Sequence, residues 1–562
     1  MFCFIWLFIS WLDNQTIGEG SSVNSAYSYK KISSAYGTKH RQWDSAKKNS
    51  RPREVSRRNG TQPSMADEKR LSLNAWVDKD KKRVVFAEAD SGFVDVLFSF
   101  LTLPLGTIIK LLFNNSGLGC IDNLYDSIKQ LSDQHLSTKA CKNMLLSPCS
   151  AAAEHYEKLK LNIYGPREFY RCKMDDCISR TRCYYSSVWQ TRCYHCGKFM
   201  DEVVQWRNDG TTDGVFVKKN GTKFMITDDF RVTQSSVSEF YDRLKELGVK
   251  DINHLEEWIL EFGREEVLLL FFLFLFSKLL NLLKESLRTN EALTNICFPD
   301  LFIQYTSPQC NNWMEMIMNK SKGNAEFEIQ EMLIRLIVNR TSNKVVCAEV
   351  GKEFADQLLS FLTFPLGSVL KLIGYSDSFR CMSNLYDSIH ELEIKYFKSE
   401  KAKSMLISPQ LAPFFGYRKQ ILYMEESSPL VPSSLSGCQK CYWDNNNSPC
   451  STVSCKHGVQ QSHFLEMDPM LAKANIDMDE GFVKSDQNFL VTDDLHVTPM
   501  SLLYFIQILK RQGLHVDHLE YGEMVIERAQ VYNLLEAMLI SKTALSDALS
   551  SRKWNSGIVW QL

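Results

Sequence analysis

Nine of the seventeen cysteines in this 562-residue chain fall in two short windows, 172–196 and 438–455. The first contains Cys172-x4-Cys177, then Cys193-x2-Cys196-Gly197; the second contains Cys438-x2-Cys441, then Cys450-x4-Cys455. Two close thiol pairs separated by a loop match what tetrahedral Zn²⁺ needs. A C-x2-C turn places two thiolates on one side of the ion at about 2.3 Å, and the second pair closes the other side. Gly197 suits the tight turn of a zinc knuckle. Each window is therefore expected to hold one zinc ion, up to two per chain. The expected ligands are Cys172, Cys177, Cys193 and Cys196 in the first window, and Cys438, Cys441, Cys450 and Cys455 in the second. Four sulfurs leave no open coordination position, so the expected role of the metal is structural. Cys183 is an alternative to Cys177, and His195 or His457 an alternative to a sulfur. Pair order is inverted between the windows, which leaves loss of metal from one of them open. A redox reading needs CxxC at a helix start in a βαβ pattern, and neither window offers that. The other eight cysteines are scattered and read mostly as buried, reduced thiols.

Other residues could do chemistry in principle. Asp228-Asp229 and Asp493-Asp494 could pair carboxylates for metal or acid–base work, but Thr-Asp-Asp between a strand and a helix reads better as turn chemistry. His254 and His518 recur with no recurrent nucleophile or acid nearby in sequence, and read as structural. There is no P-loop, no GxGxxG after a strand, no G-x-S-x-G and no HExxH. Residues 156–200 carry nine Lys/Arg against four Asp/Glu, interleaved with aromatics such as Tyr164, Tyr170, Tyr184 and Trp189. That composition could stack bases and neutralise phosphates. Residues 430–463 have only Lys440 and Lys456 against Asp444, so the basic face is not common to both windows.

The elements that must position these residues come in duplicate. Residues 84–148 recur without a gap at 345–409, with 29 of 65 positions identical at a constant offset of 261. Each copy opens with two strand-like runs around a charged or polar turn, Leu71–Val77 and Arg83–Glu88, then Met332–Val338 and Lys344–Glu349, which predicts a β-hairpin. Phe93, Val96, Leu97 and Phe100, matched by Phe354, Gln357, Leu358 and Phe361, have helical spacing. Pro104 and Pro365 should end that helix, with Gly106 and Gly367 in the turn before the next. An NLYDSI helix follows (Asn123–Ile128, Asn384–Ile389), then the cysteine window. Matched runs ending in Phe224-Met-Ile-Thr-Asp-Asp and Phe489-Leu-Val-Thr-Asp-Asp predict two short strands. Thr233 or Thr498 is then expected to cap a helix, with Pro499 at its first position. Val237, Phe240, Leu244 and Leu247 form its expected face, Gly248 or Gly513 its stop, and His254-Leu-Glu or His518-Leu-Glu the entry to a last helix. The expected class is α+β: two tandem homologous modules, each a β-hairpin plus helices, a cysteine-rich zinc loop, a short β segment and C-terminal helices.

The totals suit this reading. A length of 562 residues allows several domains, 44% hydrophobic and 23% charged residues are ordinary globular values, and a net charge of −1 supplies no global basic field. Residues 1–65 read as a disordered leader outside the module, with Met65 as the expected natural start. MFCFIWLFISWL lacks a basic n-region and is too short to span a bilayer. Val267–Phe276 is also half the length a span needs, and its counterpart VYNLLEAMLISK is amphipathic, so a packing helix is expected and no stable membrane span. The expected organisation is module 1 at 66–283, a linker at 284–328 and module 2 at 329–562.

The run KKRVVFAEAD…FVDVLFSFLTLPLGTIIKLL, with NLYDSI, the cysteine window and the TDDxxVT–LGV tail, resembles the plant "domain of unknown function 674" family across both modules. The resemblance implies a plant protein built from tandem copies, and it brings no catalytic residues. The functional expectation is a non-enzymatic, zinc-stabilised interaction or scaffold protein of the cytoplasm or nucleus, with an unidentified protein partner. A nucleic-acid-associated zinc protein is the alternative, and a cryptic enzyme the third reading.

Overall fold

The structure is a computed structural model. It describes residues 70–156, 158–159, 164, 168–174, 177, 182–205, 215–263, 271–299, 332–374, 379–417, 419–429, 463–471, 481–549 and 558–560. The expected leader and the linker from residue 300 onwards lie outside them.

Strands β1 (Arg70–Asp78) and β2 (Arg83–Asp90) form the first hairpin, whose turn is tied by the Lys81 N–H donating to Asp78 Oδ1 at 3.1 Å. In the second repeat, β9 (Met332–Asn339) and β10 (Lys344–Val350) do the same, and Asn339 Oδ1 accepts from the Thr341 N–H at 2.9 Å. Alternate residues Met332, Ile334, Leu336 and Val338 of β9 are buried, as a one-sided strand requires. Helix α1 (Ser91–Ser99) is buried along its whole length and is capped by Asp90, whose side chain accepts from the Phe93 N–H. Pro104 sits just before α2 (Leu105–Leu111), and Pro365 occupies the same place before the helix at Leu366–Ile373. Helices α3 (Ile121–Gln130) and α4 (Lys139–Leu146) follow in the first repeat. The structure is thus of mixed α+β content, as expected.

Three local expectations are corrected. Gly106 and Gly367 lie inside helices, not in the turns before them. A side-chain carbon on Gly106 would stand 2.9 Å from the Leu145 carbonyl oxygen and 3.0 Å from that of Leu362, so close helix approach excludes one. Thr233 and Thr498 are not caps. They lie in short strands, β7 (Val232–Gln234) and a counterpart at Val497–Pro499, which pair with β6 (Lys223–Ile226) and with Phe489–Thr492. The caps are Ser236 of α5 (Val237–Glu246) and Ser501, each accepting from the N–H three residues on. Val237 is 84% exposed, while Phe240, Leu244 and Leu247 pack on Val85. The stops are as expected: Gly248 and Gly513 both have φ +63°.

The third correction concerns His254-Leu-Glu and His518-Leu-Glu, which lead into strands rather than directly into helices. These are β8 (Leu255–Gly263) and its counterpart Leu519–Ile526. Trp258, Leu260 and Phe262 alternate onto the core while Glu257 and Glu261 face out. Each strand pairs antiparallel with the first strand of its own hairpin. The main sheets therefore run β7-β6-β2-β1-β8 and, in the second repeat, Val497–Pro499, Phe489–Thr492, β10, β9, Leu519–Ile526 and Ile558–Trp560. Only after β8 does α6 (Phe271–Arg288) begin, followed by α7 (Ala292–Cys297). Leu279, Leu282, Leu283 and Leu287 of α6 are buried. Of the apolar run, Val267–Leu270 lies outside the described residues. Among those described, no helix is long and apolar enough to cross a membrane.

Ala66–Leu562 forms one compact unit, because the two repeat segments grip each other reciprocally. The Leu105 N–H donates to the Phe364 carbonyl at 2.9 Å, and the Leu366 N–H to that of Leu103 at 2.8 Å. Asn123 Nδ2 donates to the Asp494 carbonyl at 2.9 Å, while Asn384 Nδ2 donates to that of Asp229 at 2.8 Å. Ser127 Oγ accepts from the Val497 N–H and Ser388 Oγ from the Val232 N–H, at 2.9 and 2.8 Å. Each NLYDSI helix thus docks on the Thr-Asp-Asp segment of the other repeat, and one core cluster spans both. Gly106 lies at this seam, so Gly106→Val should cost about 1–3 kcal/mol through overpacking against two carbonyls. Urea unfolding checks this, and an unchanged midpoint would show that the helices can separate freely.

Candidate metal centre

The first cysteine window builds its own small sheet from β3 (Glu168–Arg171), β4 (Arg182–Ser186) and β5 (Glu202–Gln205). Strand β3 pairs antiparallel with both others. Cys172 follows β3 directly, and the Cys177 N–H turns back to the Met174 carbonyl at 2.9 Å. Between β4 and β5 the chain makes a tight knuckle. Arg192 and Phe199 bridge, the Cys193 N–H donates to the Lys198 carbonyl, and the Gly197 N–H to that of Cys193, both at 2.8 Å. Gly197 has φ +69°, which explains the glycine after the CxxC.

These turns bring the sulfurs of Cys172, Cys177, Cys193 and Cys196 all within 4.8 Å of one another. Cys172 and Cys196 are 3.4 Å apart. Tetrahedral thiolates at about 2.3 Å from an ion stand about 3.8 Å from each other, so the spacing fits. Cys172, Cys177 and Cys193 are buried and Cys196 is exposed, with Met200, Tyr170 and Tyr184 packed around them. Burial pushes the Cys172 thiol up to about 11 and the Cys177 thiol further in the same direction. Burial also acts on Cys196, but the Lys198 N–H and the neighbouring thiols donate to its sulfur and hold it below its ordinary value. Backbone N–H groups of Met174 and Lys198 thus already point at the Cys172 and Cys196 sulfurs, the kind of support that orients ligand thiolates. The arrangement can hold a metal ion with four sulfurs and leaves no position for substrate.

The other expected ligands fare differently. Cys438, Cys441, Cys450, Cys455 and His457 lie outside the described residues, as does the side chain of Cys183. His195 is not part of the converging set; its ring packs against Tyr184 and Tyr194 at 5.0 and 5.8 Å. One contribution was not foreseen. Strand β11 (His463–Glu466), just beyond the second window, joins β4 in parallel, and the Met467 N–H donates to the Tyr185 carbonyl at 2.7 Å. Met467 is buried against the cysteine cluster. A four-residue strand between two polar stretches carries too little pattern to be read from sequence.

The paired aspartates serve structure. Asp228 accepts from the N–H and hydroxyl of Thr294 at the start of α7, and Asp493 from those of Ser546. Burial pushes the two carboxyls up to about 7 and about 6. Their neighbours Asp229 and Asp494 accept from Thr227 and Thr492 within the turn, as expected of Thr-Asp-Asp. His254 lies on the surface beside Asp80, at 2.8 Å.

A profile of the family described as "Protein of unknown function (DUF674)" matches residues 67–520. The chain belongs to this family. The match takes in both repeat segments and the cysteine cluster, and the family description assigns no activity. No curated protein matches the chain, and no solved structure does.

Proposed function

We propose that this DUF674 protein is a non-enzymatic interaction or scaffold protein stabilised by structural zinc. In this reading Cys172, Cys177, Cys193 and Cys196 hold one Zn²⁺, and Cys438, Cys441, Cys450 and Cys455 a second. The observation that carries it is the closure of four sulfurs on one point within a small substructure, beside few other buried apolar side chains among the described residues, including Phe169, Tyr185, Met200 and Met467. Four thiolates would bind the ion, fix the knuckle and exclude water, which is a structural assignment. The same substructure exposes large side chains, with Trp189 at 46% and Tyr194 at 54%, the residue types that anchor protein interfaces.

A protein partner is favoured over nucleic acid because cations of the window are already engaged. Arg171 pairs with Glu202 at 2.9 Å and Lys173 with Asp201 at 3.0 Å, while Arg192 lies over Phe199 and donates to the Gly197 carbonyl. Phosphate binding would have to break these pairs. Proximity labelling in cytoplasmic and nuclear extracts, comparing wild type with a Trp189→Ser/Tyr194→Ser double variant, should show a defined protein set lost in the variant at unchanged melting temperature. Salt-dependent binding to oligonucleotides at about 0.15 M salt, with no protein set lost, would decide for the nucleic-acid reading instead.

A further inference from the structure

A cleft of about 350 Å³ opens at one end of the six-stranded sheet. It lies between the β9–β10 turn, the Thr492–Asp494 segment, the helix Leu502–Gln512 and the connection at Lys542–Thr543. Val345, Val346 and Ile508 form its buried apolar lining. Lys344, Arg511 and Lys542 bring cations to it from three separate segments. Two carboxylates share the cleft, and both are engaged. Asp493 is held by Ser546, and Asp494 pairs with His496 at 3.3 Å. The side chains of Lys344 and Arg511 make no hydrogen bond or ion pair with any described residue, and Lys542 donates one hydrogen bond to the Gly119 carbonyl at 2.6 Å.

The first repeat shows how the same place is closed. There Arg83, matching Lys344, donates to the Leu247 carbonyl at 2.7 Å. Arg243, matching Ile508, reaches the Val85 carbonyl at 3.2 Å and pairs with Glu246 at 2.7 Å. In the second repeat isoleucine removes that plug, and Arg511 stands where its carboxylate partner Glu246 would be. Glu239 and Glu291 become Tyr504 and Thr543, and Asn290 becomes Lys542. Across the lining, Asp78, Glu239, Glu246 and Glu291 give way to uncharged or cationic residues and Arg511 and Lys542 are gained, while Lys81, Arg231 and Arg243 are replaced by Ser342, His496 and Ile508. Four carboxylates and three cations go, two cations arrive, and the lining becomes more positive on balance.

We propose that this cleft binds a small organic phosphate, a phosphate monoester between a sugar phosphate and a mononucleotide in size. Lys344, Arg511 and Lys542 neutralise the phosphoryl oxygens, and the Ser342 hydroxyl stands beside them as a donor, while the Thr543 hydroxyl is held by Asp547. Tyr504 and Ile508 meet the organic part. A doubly charged phosphate matches several cations and the planar fork of an arginine, whereas a monocarboxylate would leave cations unmatched. The volume exceeds that of a bare phosphate ion and lies at the small end of ligand pockets, roughly 300–1,000 Å³.

Calorimetric titration of the full chain in low-salt, phosphate-free buffer tests this with glucose 6-phosphate, AMP, inorganic phosphate, glucose, adenosine and citrate. Single-site binding is expected for glucose 6-phosphate or AMP, and none for glucose or adenosine. Arg511→Glu, which restores the first repeat's residue at an exposed position, should weaken binding by at least about tenfold at unchanged melting temperature. Arg511→Gln serves the same purpose should the charge reversal disturb folding. Ile508→Arg, which rebuilds the plug, should abolish binding. The proposal is overturned by no saturable binding of either organic phosphate at millimolar concentration, or by equal binding in wild type and both Arg511 variants. Tighter binding of citrate, or of inorganic phosphate, would also overturn it.

Discussion

Cys193→Ser should release one metal ion and open residues 168–205 to protease while the two main sheets keep their melting behaviour. The cluster beneath the small sheet consists of Cys172, Cys177, Cys193, Met200 and Met467, so the proposed ligands are also most of its core. Thiolates bind only when deprotonated, and the set converges only in the fold, so metal affinity becomes folding free energy. For structural zinc that is roughly 10–16 kcal/mol, whereas Met200 and Met467, the buried members of the cluster that are not ligands, contribute only about 1.5–3 kcal/mol each. The effect should also appear about 270 residues further along the chain. Because β11 leans on β4 and Met467 on the cysteines, the same substitution should expose a cleavage site near residues 463–467. Elemental analysis of wild type should give about two zinc per chain, or one if only the first window binds. A metal-free chain that keeps 168–205 protected would overturn the assignment.

What the sequence disclosed follows from the range over which each signal acts. The hairpins, α1 and the NLYDSI helices are written in local period and were legible. So was the converging set of four cysteines, because two short spacings and one glycine dictate two turns. Strand β8 carries a strand's alternation in Trp258-x-Leu260-x-Phe262, but His-Leu-Glu before it suits a helix entry equally well, and pairing with β1 decides for the strand. Thr233 suits both a cap and a strand, and pairing with β6 decides for the strand, which leaves the cap to Ser236 three residues on. The reciprocal docking of Asn123 and Asn384 joins residues more than 150 positions apart. No local pattern announces it. The cleft at Arg511 becomes visible only when substitutions between the repeats are placed in three dimensions.

Asp95 has the same character: a lone carboxylate in an apolar helix whose partners lie 120 residues away. Its oxygens accept from the N–H groups of Val215, Phe216 and Val217 at 2.8, 2.8 and 2.7 Å, in full burial. Those N–H groups belong to the segment that pairs with the second repeat, where the Lys398 N–H donates to the Phe216 carbonyl and the Lys218 N–H to that of Tyr396. Asp356 holds Phe482 and Val483 in the same way, and their segment pairs with His135 and Ser137. Asp95→Ala leaves three buried donors without an acceptor, each worth about 1–3 kcal/mol. A loss of about 3 kcal/mol or more is therefore expected, with Asp95→Ala/Asp356→Ala unable to fold both halves together. Burial pushes the Asp95 and Asp356 carboxyls from 3.8 up to about 6. An acid whose pKa is higher in the folded state takes up a proton on folding. Its contribution is then greatest below its unfolded pKa and is lost as pH rises through the folded one. Wild-type stability should decline between about pH 4 and pH 6, and Asp95→Asn, which cannot titrate, should show a shallower decline. Urea midpoints across that range give the measurement. Equal slopes in wild type and Asp95→Asn, or an Asp95→Ala chain as stable as wild type, would show that this carboxylate does not hold the two repeats together.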